Sequence, residues 1–158
     1  MAPIETLVER YDKGHSSKFN RGLHIIGIIL FNLGILSLFW AIPNGPVVSW
    51  LGPHQFANWA TVYSVLMIIY FGSQSFSLTF AGGIFYQGGL FAISYLVNLD
   101  LFAFPALIGM LLISGLILML IGHLVEGNFR EIKKDIIYCI IAPTWIFRFI
   151  YSWLGVGF

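Results

Sequence analysis

Between Gly22 and Leu99 the chain carries no aspartate, glutamate, lysine or arginine. About a quarter of the residues in a soluble domain are charged, so a stretch of this length without one needs an apolar solvent. All eight basic residues lie outside it, at Arg10, Lys13, Lys18 and Arg21 or at Arg130, Lys133, Lys134 and Arg148. Of the 158 residues 58% are hydrophobic and 9% charged, which places the chain among integral membrane proteins. The two basic clusters add a topological condition. Lysine and arginine beside membrane segments favour the cytoplasmic side, so both termini belong there and the number of crossings is even.

Four crossings meet that condition, at 23–42, 57–80, 84–98 and 102–122. Each approaches the roughly 20 apolar residues that a hydrocarbon core requires. Between the first two lies "PNGPVVSWLGPHQF", a turn-rich loop with Pro43, Pro46 and Pro53. The "AGG" of Ala81 to Gly83 reads as the next turn, and Asp100 marks the one after it. Ahead of the crossings, Ile4, Leu7, Val8 and Tyr11 recur at helical spacing with Glu5, Glu9 and Asp12 opposite, an amphipathic helix lying at the interface. Tyr11 reads as an interfacial anchor. The last stretch, "DIIYCIIAPTWIFRFIYSWL", is long enough to cross but holds Pro143 and Arg148, and a mid-bilayer arginine is costly. It is expected to be an interfacial or re-entrant helical segment.

The predicted architecture is therefore an all-α membrane protein: four transmembrane helices, an N-terminal amphipathic helix and a C-terminal interfacial segment. Residues 1–158 form one integral membrane domain, with 1–21 cytoplasmic or interfacial, 23–122 the crossings and 123–158 a cytoplasmic or interfacial tail. No cleavable leader is expected, because the first 21 residues are mixed and charged and the first apolar run is long enough to cross. A bacterial inner membrane and an endoplasmic reticulum membrane fit equally well. The net charge of +1 excludes a nucleic-acid partner. A single cysteine, Cys139, excludes an internal disulfide. The absence of charge from the first three crossings argues against ion-coupled transport. Oligomeric state is not legible.

Polar residues gather at the proposed cytoplasmic face. "YDKGHSSKFNRGLHIIG" holds His15 and His24 nine residues apart. On one continuous helix that spacing puts them on opposite faces, but Gly14 reads as a helix stop and Ser16 or Ser17 as the cap of the next helix. A break there frees His15 to turn toward His24. Four crossings return the chain to the same side at "GHLVEGN", where His123 and Glu126 share one side of a helix. Three imidazoles and a carboxylate with open positions suit non-haem Fe(II), and zinc takes similar ligands. Asn20, one helical turn before His24, is placed to orient a ring. His54, in the loop on the opposite face, is read as an ordinary polar residue. Lys18, Arg21 or Arg130 could draw an anionic head group to the face.

At these residues the chain resembles the membrane-bound 2-hydroxy fatty acid dioxygenases. His15, Asn20, His24 and Gly27 match the spacing of that family's N-terminal signature, and "GHLVEGN" followed by "IIYCIIAPTWIF" is similar to its second. The chain departs from the family pattern in having Ser16 and Ser17 where a second histidine is usual, in spacing His123 and Glu126 by three rather than four, and in lacking a proline after the glutamate. The resemblance implies an Fe(2+)-dependent enzyme that uses O₂ to shorten 2-hydroxy fatty acids by one carbon. Its metal ligands would be His15, His24 and His123, with Glu126 and Asn20 as candidate catalytic residues. Fatty acid or other lipid, O₂ and the bilayer would be its partners. Phe31, Phe39, Phe71, Phe76, Phe85 and Phe91 along the crossings could line an acyl cavity or simply pack. The competing class is a non-enzymatic membrane scaffold or lipid-binding protein, which needs no metal. Di-iron hydroxylases require more histidines than four.

Overall fold

A chain this apolar would have to bond its backbone amides within each segment in a membrane, and its described residues are mostly helical. The computed structural model describes residues 4–127, 138, 139 and 141–155. Among them are seven helices and no strand: α1 (Ile4–Lys13), α2 (Lys18–Ala41), α3 (Gly45–Leu51), α4 (Trp59–Gly72), α5 (Phe76–Asn98), α6 (Phe104–Glu126) and α7 (Ala142–Leu154). Arg130, Lys133 and Lys134, and the start of the predicted C-terminal segment, lie outside the described residues. Among the described residues three helices, α2, α5 and α6, are long and apolar enough to cross a membrane. The fourth apolar helix, α4, has 14 residues.

The chain divides into two compact units, one of residues 1–32 and 112–158 and one of residues 33–111. In the first, α1 buries Val8 and Tyr11 and exposes Glu9, Arg10 and Lys13, as its amphipathic pattern requires. Tyr11, expected as an interfacial anchor, is core instead, because α7 covers that face of α1. α7 itself begins with Pro143 in its first turn, where a missing N–H costs nothing. It ends against Gly155 in the left-handed conformation at φ 68°. Its 13 residues span about 20 Å, less than a hydrocarbon core. Trp145 is its fully buried anchor, and its ring meets Tyr11 edge-on at 5.2 Å.

α2 and α6 meet in this unit backbone to backbone. A Cβ built on Gly27 would stand 2.8 Å from the Gly115 carbonyl oxygen, and one on Gly115 would stand 2.7 Å from the Gly27 oxygen and from the Phe31 nitrogen. Only glycine permits that approach. Asn32, further along α2, donates to the carbonyls of Ile28 at 2.9 Å and Cys139 at 3.3 Å.

In the second unit α4 and α5 form an antiparallel hairpin, which corrects the predicted boundaries. The expected crossing at 57–80 ends at Gly72, the turn falls on residues 73–75, and α5 begins at Phe76, eight residues before the expected 84. Polar caps decide the turn. Ser75 Oγ accepts from the Leu78 amide at 3.1 Å, and Ser73 Oγ donates to the Tyr70 carbonyl at 2.7 Å. Ala81 to Gly83, expected as a turn, are interior to α5. Gly82 serves packing, since a Cβ there would stand 2.7 Å from Phe71 Cδ2. Asn58 caps α4 by accepting from the Thr61 amide at 3.1 Å. Within the predicted loop, Pro46 sits in the first turn of the short α3. The turn expected at Asp100 is present, with Asp100 at φ 49°, a conformation aspartate tolerates. Ile69, Phe76, Phe80, Ile84 and Phe91 are exposed, which suits an apolar surrounding.

The Gly27–Gly115 contact predicts that either Gly→Ala substitution overpacks the pair and costs about 1–3 kcal/mol. Gly22→Ala, whose Cβ meets nothing within 4 Å, should be neutral or slightly stabilising; thermal unfolding in detergent measures all three.

Candidate metal centre

The break between α1 and α2 creates the site. The Gly14 amide donates to the Tyr11 carbonyl at 3.1 Å and the His15 amide to that of Asp12 at 3.0 Å, closing α1. Ser17 Oγ then accepts from the Asn20 amide at 3.0 Å and opens α2. His15, in the intervening turn, swings its ring against His24. The ring centroids lie 4.1 Å apart, nearly perpendicular. α6 brings His123 to 4.7 Å from His24 and 5.3 Å from His15. The structure thus brings three histidines together that are 9 and 99 residues apart in sequence, at exposures of 1% for His15 and 0% for the other two.

Their hydrogen bonds assign the ring nitrogens. His15 Nδ1 lies 2.7 Å from the Tyr11 carbonyl oxygen, and His24 Nδ1 lies 3.1 Å from that of Asn20. A carbonyl can only accept, so each Nδ1 carries the proton and donates. In a neutral ring the lone pair is then on Nε2, the arrangement in which an outer partner orients a ligating histidine. One ligand nitrogen from each of the three rings lies within 4.8 Å of the other two. A triangle of that edge has its centre about 2.8 Å from each corner, so shifts of under about 1 Å reach the 2.0–2.1 Å of a metal–imidazole bond. Three buried imidazole nitrogens fit zinc or iron.

The surroundings fix His15 further. Arg21 Nε donates to the His15 carbonyl at 2.7 Å, and its guanidinium also pairs with Asp12 at 3.4 Å. Asp12 in turn accepts from Trp145 Nε1 at 3.0 Å and has Arg148 at 4.0 Å. Tyr11 and Trp145 flank the His15 ring, at centroid distances of 4.4 and 5.4 Å. Arg21, one of three cations considered for drawing an anionic head group to this face, is committed to this turn.

Asn20 is fully buried, and its Oδ1 lies where a Cβ of Gly122 would stand, beside the His24 ring. No donor reaches that oxygen among the described residues. Gly122 is required by this contact, since any side chain would collide with Asn20 and come within 2.8 Å of His24. Glu126 is not one of the residues whose ligand atoms cluster, and the Asn20 side chain hydrogen-bonds it. Its Oε1 accepts from the Ser17 amide at 2.6 Å and from Ser16 Oγ at 3.3 Å. His54 is exposed in the turn before α4, and Lys18 is exposed at the start of α2.

Sequence reasoning missed Asp12 and Trp145. A tryptophan in a segment already read as interfacial gives no sign that it will be the buried lid of α1. Trp145→Phe keeps an aromatic ring in contact with Tyr11 but removes the bond to a carboxylate, and should cost about 1.5–3 kcal/mol, read by chemical denaturation in detergent.

The family model described as 2-hydroxy-palmitic acid dioxygenase Mpo1-like matches residues 1–154 of this chain. No curated protein and no solved structure matches it.

Proposed function

This chain belongs to the Mpo1-like family, and on that premise we propose that it is a dioxygenase of 2-hydroxy fatty acids with iron(II) held by His15, His24 and His123. The observation that carries the reading is the triad itself, three buried imidazoles whose ligand nitrogens lie within 4.8 Å of one another. Burying three imidazoles together in an apolar protein is costly unless they share a ligand or a bonding network. The reaction balances without a separate reductant. A 2-hydroxy acid and O₂ yield the carboxylic acid one carbon shorter, CO₂ and water, with C1–C2 cleaved and both atoms of O₂ reduced by the four electrons that the two carbons lose. Iron(II), when bound, supplies the coupling of O₂ to that oxidation.

The chain's own groups supply binding and exclusion. The carbonyls of Tyr11 and Asn20 hold two imidazoles in the tautomer that presents Nε2. The rings of Tyr11 and Trp145 keep water from the His15 side. The buried Asn20 amide offers its Oδ1 as an acceptor to the substrate's hydroxyl, while its NH₂ group is turned to Glu126. The acyl chain would come from the bilayer, with α4 serving as a short fourth crossing. Its 14 residues span about 21 Å, which local thinning of the bilayer can accommodate. With four crossings the basic ends both lie on the cytoplasmic side.

Elemental analysis of detergent-purified protein tests the reading. About one iron per chain is expected, and its loss in His24→Ala and His123→Ala. Gly122→Ala removes no ligand but should lower iron content as well, by displacing Asn20 and His24. The iron-loaded protein should convert a 2-hydroxy fatty acid and O₂ to the acid one carbon shorter, followed by mass spectrometry. Zinc in place of iron would redirect the chemistry to hydrolysis or structure. No metal in reduced, iron-supplied protein would leave a non-enzymatic membrane scaffold.

A further inference from the structure

The start of α2 is capped in an unusual division of labour. In a capping box the N-cap side chain accepts from the third helical amide, and the side chain at that third position accepts from the N-cap amide. Ser17 performs the first half, with Oγ 3.0 Å from the Asn20 nitrogen. Asn20 occupies the third position, yet its side chain turns its Oδ1 toward Gly122 and hydrogen-bonds Glu126 instead of the Ser17 amide. The second half is done by α6: Glu126 Oε1 accepts from the Ser17 amide at 2.6 Å, and takes Ser16 Oγ at 3.3 Å. Among the described residues, the cluster able to hold an ion contains the three histidines and not Glu126.

The consequence falls on His15. Its ring bonds to the Tyr11 carbonyl at the end of α1, and its own carbonyl accepts from Arg21 in α2. Its position therefore follows the angle of the bend. Glu126 ties that bend to the turn of α6 that carries His123, three residues earlier. It also takes the capping role that Asn20 would otherwise fill, and the Asn20 side chain bonds Glu126 in turn.

We infer that Glu126 is a positioning residue which completes the cap of α2 from α6 and thereby sets His15 against His24 and His123. The inference rests on the metal reading for its functional meaning, but its structural content does not. It requires an acceptor at this position, not a negative charge or a metal ligand.

Two readouts on the full chain in detergent test it. In anaerobic iron(II) titrations Glu126→Ala should weaken binding about 10- to 100-fold, the range for loss of an outer-shell partner. Glu126→Gln, which keeps the acceptor, should stay within about threefold of wild type, and Glu126→Ala should add nothing in a His15→Ala background. Equal losses in the Gln and Ala variants, or additive losses with His15→Ala, would overturn the inference in favour of a ligand or charge role. The second readout needs no metal: carbethoxylation of buried His15 by diethyl pyrocarbonate, followed by peptide mass spectrometry. It should run about tenfold faster or more in metal-free Glu126→Ala, as the bend opens, and at the wild-type rate in Glu126→Gln. An unchanged rate in Glu126→Ala would overturn the inference by itself. If wild type binds no iron(II), the metal reading fails, and the carbethoxylation rates still decide the role of Glu126.

Discussion

The contact between the backbones of α2 and α6 at Gly27 and Gly115 is what the candidate centre depends on. Between apolar helices in an apolar solvent there is little hydrophobic drive to associate, so close packing of small residues has to do the work. Gly27 lies three residues beyond His24, and the α2–α6 seam continues from there to Gly122, beside His123. There the missing side chain makes room for Asn20 and the His24 ring. A larger residue at any of these points would separate the two imidazoles on α2 and α6 before His15 could join them.

The third imidazole comes from a different kind of structure, a turn. A residue between helices is normally the least constrained part of a fold. His15 is held instead from both helices it joins, by its ring on Tyr11 and its carbonyl on Arg21, while Glu126 grips the next two residues. Asp12 gathers Trp145, Arg21 and Arg148 around one carboxylate, which fastens α7 over α1. Charged groups thus ring the site without entering it, and the interior presents imidazole nitrogens beside a buried amide. That combination suits a divalent cation better than an anion.

Some of this was legible in the residues themselves. Gly14 and the two serines after it mark the helix break, because glycine stops a helix and a serine hydroxyl caps one. The confinement of basic residues to two segments brought His15, His24 and His123 to a single proposed face before any contact was known. Ala81 to Gly83 misled for a physical reason. Glycine pairs serve turns and close helix packing alike, and which use applies depends on a neighbour, here Phe71, that is distant in sequence. Tyr11 misled similarly: an aromatic residue on an amphipathic helix suits a membrane interface until another helix covers it.

The sequence by itself pointed to an apolar solvent, to the helical character of the described segments other than α3, and to the identity of the metal-capable side chains. These depend on composition, local spacing and side-chain chemistry, which need no partner. Only the tertiary structure decided that the three imidazoles come together, that Glu126 caps the neighbouring helix, and that Asn20 lies against Gly122 and Glu126. Each of those outcomes is a contact between segments about 100 residues apart. Such a contact depends on how closely two backbones approach, and the glycines that allow the approach look the same in sequence as glycines that end a helix.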